Sequence, residues 1–166
     1  MIVVADTSPL NYLIRLGYIE VLPEIYGRVV VPDAVLIEMQ HEEAPPEVRA
    51  WASDPPGWLE KRRVVHLDLT LAVELGAGER EAISLAMEIR ADILLIDERA
   101  GRQEAEARQL EVTGTLAVLL NASLRGYFEF PDAMLRLRQH GFRVSRAVES
   151  LMLGRYFQAM AADRRD

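Results

Sequence analysis

The sequence contains no cysteine, which excludes disulfide bonds, thiolate metal sites and cysteine nucleophiles together. Its few histidines lie far apart, with no spacing typical of a zinc site or of a histidine-based triad: His41, His66 and His140. No apolar run approaches the ~20 residues that a bilayer span requires. No basic stretch precedes the first apolar run, so we expect no signal peptide, no membrane partner and a cytoplasmic location.

The sequence is also poor in positive charge, and it lacks a common phosphate-binding loop. Lys61 is the only lysine, and acidic residues outnumber basic ones, 26 to 19, which gives a formal net charge of −7. Since neutralisation of phosphates drives general nucleic-acid coating, this excess argues against a coat protein. It leaves a nuclease open, because an acidic site that holds divalent metal can attract phosphate. The chain also lacks a glycine-rich loop ending in Lys-Ser or Lys-Thr, which argues against a nucleoside triphosphatase.

Short apolar runs alternate with amphipathic segments along most of the chain. The runs predict strands at residues 2–5, 28–31 and 92–96, and an extended edge segment at 58–66 whose buried part is Val64-Val65. Helices are predicted at residues 8–17, 18–26, 32–39, 47–52, 78–90 and 100–110, and then at 115–125, 131–139 and 145–160. This alternation is typical of an α/β fold in which helices cover a parallel sheet. The length of 166 residues predicts one domain with a helical tail.

Four acidic residues stand where a parallel α/β fold brings carboxylates together: Asp6, Glu38, Glu79 and Asp97. The two aspartates end apolar runs, whereas the two glutamates lie in helical segments. Folds of this kind bind ligands in the crevice at the carboxyl ends of the strands. Carboxylates that lie close together need a cation to stay ionised, and their hard oxygens suit Mg²⁺ or Mn²⁺. The set therefore predicts metal-dependent phosphodiester chemistry.

Each of the four acids also has an ordinary structural interpretation. Asp6 and Asp97 stand where strand-to-helix turns favour capping residues. Glu38 can belong to a solvated helix face, and Glu79 stands in a first helical turn, where the helix dipole favours negative charge. Capping alone explains the ordered occurrence of all four residues less well than a shared site does.

Glu79 and Glu81 open the same predicted helix, but residues two apart do not share a helix face. Glu79 heads the predicted buried stripe that continues at Ala82 and Ile83, whereas Glu81 aligns with Ser84. We therefore predict that Glu79 belongs to the site and that Glu81 lies on the outer face, as a supporting neighbour at most.

The motifs around the four acids resemble those of PIN-domain nucleases, in the same order and at similar separations. The matching segments are Val4-Ala5-Asp6-Thr7-Ser8-Pro9-Leu10, Pro32-Asp33-Ala34-Val35-Leu36-Ile37-Glu38, Gly78-Glu79-Arg80-Glu81-Ala82-Ile83 and Leu94-Leu95-Ile96-Asp97-Glu98-Arg99. The segment that begins Val112-Thr113-Gly114-Thr115, and the tail after it, resemble a bacterial and archaeal subgroup with a helical C-terminal extension. The resemblance covers nearly the whole chain, although the third acid is glutamate where aspartate is common.

This resemblance implies a three-layer α/β/α fold with a mainly parallel central sheet. It implies a single domain, with a nuclease core over residues 1–120 and a helical extension over 121–166. The activity implied is that of a Mg²⁺- or Mn²⁺-dependent endoribonuclease whose catalytic and metal-binding residues are Asp6, Glu38, Glu79 and Asp97. Small relatives of this kind are often VapC-type toxins, so a cognate antitoxin and a second copy of the chain are expected partners beside the RNA substrate.

Other residues near the acids are candidates for supporting roles. Thr7, Ser8 and Asn11 are placed to orient a carboxylate or a metal-bound water through hydrogen bonds. Arg99 and Arg102, just beyond Asp97, either contact substrate phosphates or are ordinary solvated helix residues.

Two other functions stay open at this point. A non-catalytic module would hold metal, nucleic acid or a protein partner without cleaving, although the presence of all four acids favours the enzyme. A small phosphohydrolase often carries a second acid two residues after a nucleophilic aspartate, but Ser8 occupies that position here. The apolar residues of the tail form either a partner surface or part of the domain's own core: Leu151, Met152, Leu153, Tyr156, Phe157 and Met160.

Overall fold

A computed structural model describes residues 1–163, and its centre is a five-stranded sheet in the order β3-β2-β1-β4-β5. The strands are β1 (Ile2–Ala5), β2 (Arg28–Pro32), β3 (Leu59–Arg62), β4 (Ile93–Leu95) and β5 (Val112–Thr113). All four strand pairs of this sheet are parallel. The predicted α/β fold with a mainly parallel sheet is therefore confirmed.

Nine α-helices connect or follow these strands within residues 1–163. They are α1 (Thr7–Leu16), α2 (Val21–Tyr26), α3 (Asp33–Met39), α4 (Pro46–Ser53), α5 (Ala77–Glu88), α6 (Arg99–Ala107), α7 (Thr115–Leu124), α8 (Phe130–Gln139) and α9 (Arg146–Asp163). None of these helices combines the length and the apolar character needed to cross a bilayer.

The chain reverses its direction of travel across the sheet between β1 and β4. From β1 it proceeds to β2 and β3 on one side, and it then returns to β4 and β5 on the other side. Val4 of β1 stands between Val30 of β2 and Leu94 of β4, and these three side chains are almost fully buried. Because ligands bind parallel sheets at such a switch point, the carboxyl ends of β1 and β4 are where a site is expected.

The sheet edges differ from the sequence prediction in two places. The edge segment at 58–66 does contain β3, but the chain leaves the sheet after Arg62, and Val65 is 71% exposed. The backbone N–H groups of Val65 and His66 donate instead to Glu88 Oε2 of α5, at 3.0 and 3.1 Å. The prediction that Val64-Val65 is buried was therefore wrong for Val65, while Val64 is half-buried against the core. The second edge strand, β5, was not predicted, because two residues carry no readable periodicity.

The chain divides into two compact units, Met1–Thr115 and the part that begins at Leu116. The second unit contains α8 and α9, where the rings of Phe130 and Tyr156 pack 5.9 Å apart and the Tyr156 hydroxyl hydrogen-bonds Glu129. Tyr156 is buried, whereas Leu151 and Phe157 are 54% and 57% exposed. Tyr156 therefore belongs to the core of this unit, whereas a partner surface at Leu151 and Phe157 stays a prediction. The predicted boundary between residues 120 and 121 stays a prediction.

Candidate functional site at the carboxyl ends of β1 and β4

Asp6 lies at the centre of the candidate site, directly after β1. Its backbone N–H donates to Leu95 O at 2.9 Å, which extends the pairing of β1 with β4 by one step. The residue is 2% exposed, and its Oδ1 has no hydrogen-bond partner. Asp6 occupies the N-cap position of α1 but makes no capping hydrogen bond with its side chain. The ordinary interpretation of Asp6 as a helix cap therefore does not hold.

The electrostatics of Asp6 show that the other three acids lie near it. Burial raises the pKa of the Asp6 carboxyl from 3.8 to about 7, and a hydrogen bond from the Thr7 backbone acts in the opposite direction. The charges of Glu79, Glu38 and Asp97 each contribute to this rise in pKa. Since a bound cation favours the ionised form of a neighbouring carboxylate, a metal would reverse the effect. Asp6, Glu38, Glu79 and Asp97 are together called the acidic cluster.

Glu38 reaches the acidic cluster from α3, and both of its carboxylate oxygens are held. The Thr7 hydroxyl donates to Oε2 at 2.5 Å, and the Gly78 backbone N–H donates to Oε1 at 2.8 Å. The half-buried Glu38 is therefore not a solvated helix residue. Thr7 makes the hydrogen bond to a carboxylate that the sequence predicted, and its supporting role in the site stays a prediction.

Glu79 lies in the first turn of α5, and its two carboxylate oxygens have different surroundings. Its Oε2 accepts from the Gly76 backbone N–H at 3.0 Å, so the capping interpretation is right for this atom. Its Oε1 is buried and has no hydrogen-bond partner. Burial raises the pKa of Glu79, the Gly76 hydrogen bond lowers it, and the charges of Glu98 and Glu38 raise it.

Asp97 follows β4 and is held by a residue eighteen positions further along the chain. The backbone N–H and the hydroxyl of Thr115 donate to its Oδ1 and Oδ2, at 2.7 and 2.6 Å. Burial raises the pKa of Asp97, whereas the Thr115 hydrogen bonds and the Arg102 charge lower it and the Glu98 charge raises it. Both oxygens are bound to Thr115, so Asp97 does not act as a cap for α6. Sequence reasoning missed this role of Thr115.

Three glycines leave room for three of the carboxylates. A Cβ atom at Gly78 would lie 2.5 Å from Glu38 Oε2, and one at Gly101 would lie 2.7 Å from Glu79 Oε1. A Cβ atom at Gly114 would lie 2.8 Å from Asp97 Oδ1. Any larger residue at these positions must therefore displace the carboxylate or move the backbone. Sequence reasoning did not assign these roles, although Gly78 and Gly114 stand within the quoted motifs.

Glu81 does not lie on an outer face, and that prediction was wrong. Its Oε2 accepts from the backbone N–H of Ala34 at 2.9 Å, in the first turn of α3. Ser84 and Leu85, on the side of α5 predicted to face outward, are also buried. The prediction failed because α5 buries residues on more than one side. Glu81 therefore anchors α3, the helix that carries Glu38.

The remaining candidates surround the acidic cluster in different ways. Ser8 is half-buried in the first turn of α1, and Arg99 is exposed at the start of α6. Arg102 Nη1 donates to the backbone oxygen of Ile96 at 3.1 Å, which places its charge beside Asp97. Arg102 is therefore a structural neighbour of that carboxylate rather than a solvated side chain. Asn11 is half-buried, and its Oδ1 is buried without a hydrogen-bond partner.

The donor chemistry of the acidic cluster suits a hard divalent cation. Asp6 Oδ1 and Glu79 Oε1 are buried oxygens with no protein partner, and carboxylate oxygens are the ligands that Mg²⁺ prefers. Across residues 1–163, no three or more histidine, aspartate or glutamate side chains form a ready-made metal cage. Mg²⁺ usually keeps several waters and takes only one or two carboxylates, so the cluster fits this ion without such a cage.

Comparison with known proteins supports the fold and identifies the family. A PIN-domain family model (DUF3368) matches residues 2–156. The fold is similar to that of a PilT N-terminus domain protein from the hyperthermophilic archaeon Sulfolobus solfataricus P2, with a TM-score of 0.55 and 15% sequence identity. That likeness covers 74% of this chain and 93% of the archaeal one. No curated protein matches the sequence significantly. With the family match extending from the first residue of β1 into α9, the chain belongs to the PIN-domain family.

Proposed function

We propose that this PIN domain is a Mg²⁺- or Mn²⁺-dependent endoribonuclease. PIN domains are generally nucleases. The observation that carries the proposal is Asp6, a buried carboxylate without a side-chain hydrogen bond to Oδ1, whose pKa three neighbouring acids raise. An aspartate that neither caps a helix nor pairs with a cation costs stability unless a ligand uses it.

Each residue of the acidic cluster has a task in this proposal. Asp6 and Glu79 would hold the metal through their unpaired oxygens, and Glu38 and Asp97 would complete its surroundings. Thr7 and Thr115 keep these last two carboxylates oriented. A metal held there would activate a water and offset the charge that develops on the phosphoryl oxygens. Arg99, exposed at the start of α6 two residues after Asp97, would contact a substrate phosphate.

The test is cleavage of labelled single-stranded RNA by the purified protein with Mg²⁺, with Mn²⁺ or with EDTA. We expect metal-dependent cleavage that Asp6→Asn lowers by roughly a hundredfold or more, as losing a group that acts in the transition state does. Asp54→Asn is the matched control, because Asp54 is exposed after α4. Cleavage that persists in EDTA or in a folded Asp6→Asn protein would overturn the assignment. RNA binding without cleavage would favour the non-catalytic module.

The biological role proposed with this activity is that of a toxin restrained by an antitoxin, in the cytoplasm and as a homodimer. Its support is the resemblance of the chain to small VapC-type proteins. Induced expression of the wild type should arrest growth of a bacterial host, whereas Asp6→Asn should not. Normal growth despite active, soluble protein would remove the toxin role and leave the nuclease proposal standing.

A further inference from the structure

A cavity of about 420 Å³ adjoins the acidic cluster on the side of α3. Thr7 and Asn11 of α1 line it together with Glu38, the one residue that the cavity shares with the acidic cluster. Thr7 and Asn11 are four positions apart and therefore lie on one face of α1. The volume falls in the range of roughly 300–1,000 Å³ that is typical of small-ligand sites.

The walls and the polar atoms of this cavity differ in character. Ile37, Pro45 and Val48 contribute apolar surface, and Ile37 is 67% exposed at its edge. The polar groups include two carboxylate acceptors, those of Glu38 and Glu43, beside the imidazole of His41. Asn11 Oδ1 adds a further acceptor that no protein group satisfies. An unpaired buried acceptor lowers stability, so a ligand that donates to it gains affinity.

We propose that this cavity binds one nucleobase of the RNA substrate beside the cleaved bond, and that Asn11 favours bases with an exocyclic amine. The proposal rests on the proposed function. Apolar walls suit the flat faces of a base, and acceptors suit the amines of adenine, cytosine and guanine. Uracil has no exocyclic amine; its one donor on this edge, N3–H, is flanked by two carbonyl oxygens that would face the carboxylates. Both oxygens of Glu38 already accept from Thr7 and Gly78, so Asn11 is not needed to orient that carboxylate.

Binding can be tested without cleavage. The chain has two asparagines, Asn11 and Asn121, so selective ¹⁵N labelling of asparagine gives two side-chain amides, the second being the internal control. We would titrate the labelled full chain carrying Asp6→Asn with single-stranded pentamers of adenosine, cytidine or uridine. We expect the Asn11 amide to shift with the first two and to require at least about tenfold more of the uridine pentamer. Equal affinity for uridine, or RNA binding that leaves Asn11 unmoved, would overturn the proposal, as would the absence of RNA binding.

Cleavage provides the second test, on RNAs that differ at one base next to the cleaved bond. We expect the wild type to favour an amine-bearing base at one position, and Asn11→Ala to lose about tenfold of that preference, measured as the ratio of kcat/KM for the amine-bearing substrate to that for the uridine substrate. Asn121→Ala is the matched control and should keep the preference. An equal loss on every substrate would place Asn11 in the catalytic centre and overturn the proposal. If the wild type cleaves no RNA but the Asn11 amide still responds selectively, the nuclease proposal fails and the base site stands.

Discussion

Two aspartates of the first unit, Asp6 and Asp68, have opposite surroundings. Asp6 is buried with an unpaired oxygen, and burial raises its pKa to about 7. Asp68 Oδ1 accepts from the Thr70 hydroxyl and backbone at 2.6 and 2.8 Å, and its Oδ2 accepts from Arg108 Nε at 2.6 Å. The bonds from Thr70 and Arg108 lower the pKa of Asp68 to about 2. One carboxylate is held in its charged form by the protein, and the other is not.

The surroundings of Asp68 serve the fold. Arg108, at the end of α6, also donates to Glu104 Oε2 at 2.6 Å and to the Thr70 hydroxyl at 3.0 Å. These four residues, Asp68, Thr70, Glu104 and Arg108, are called the Arg108 network. It ties the irregular segment between β3 and α5 to α6. The comparison indicates that carboxylates with partners stabilise this molecule, whereas the buried unpaired oxygens of Asp6 and Glu79 lower its stability until a ligand binds.

The largest expected effect is a stabilisation by Asp6→Asn in metal-free buffer. The pKa of Asp6 is higher in the folded than in the unfolded chain, so folded wild type loses stability as pH rises from about 4 to about 7. At pH 8 the variant should be more stable by about 2–4 kcal/mol, as measured by urea unfolding in EDTA.

Added Mg²⁺ should then stabilise the wild type and not the variant, because only a protein that binds the ion gains from it. Equal free energies of unfolding for the wild type and Asp6→Asn at pH 8 in EDTA would contradict the proposed difference between Asp6 and Asp68. Asp54→Asn, at an exposed position, is again the control and should leave the free energy of unfolding unchanged.

The next effect has the opposite sign and concerns Asp68→Asn. Losing this carboxylate leaves Arg108 without its main partner, and the two side chains are 18% and 15% exposed. We expect a loss of about 1–2 kcal/mol at pH 7 in the free energy of unfolding. The pKa of Asp68 is lowered, so its contribution is present above about pH 4 and is lost as pH falls through about 2. The gap between wild type and variant should therefore narrow between pH 6 and pH 3; a gap that widens would contradict this explanation.

The sequence predicts those parts of the fold that depend on local patterns of residues. The apolar runs of β1, β2 and β4 and the helix that carries Glu79 were all predicted from periodicity and capping. Asp6 and Asp97 were placed at strand ends for the same reason, and the structure brings their charges together with those of Glu38 and Glu79. Their catalytic and metal-binding roles stay predictions.

The features that the sequence did not predict depend on distant contacts. Thr115 binds Asp97 across eighteen residues, through a turn that follows the two-residue strand β5. Glu81 reaches the start of α3 from another helix, a contact that helical spacing cannot indicate. The polar surroundings of a carboxylate are thus set by which elements become neighbours, which only the folded chain shows.

The smallest expected effect on stability concerns Gly78. It tests whether the close approach of this glycine to Glu38 matters for metal binding but not for folding. In Gly78→Ala, the added Cβ meets the end of the Glu38 side chain, which can rotate away, while alanine favours helix α5 by up to ~1 kcal/mol. We therefore expect the free energy of unfolding to change by less than about 1 kcal/mol, and the affinity for Mn²⁺, measured by calorimetry, to fall about tenfold as Glu38 is displaced. Gly154→Ala is the control, because a Cβ there meets nothing within 4 Å. Unchanged Mn²⁺ affinity in Gly78→Ala would mean that the position of Glu38 is not critical for metal binding. Asp6 and Glu79 would then be the only residues of the acidic cluster that differ in role from the carboxylates of the Arg108 network.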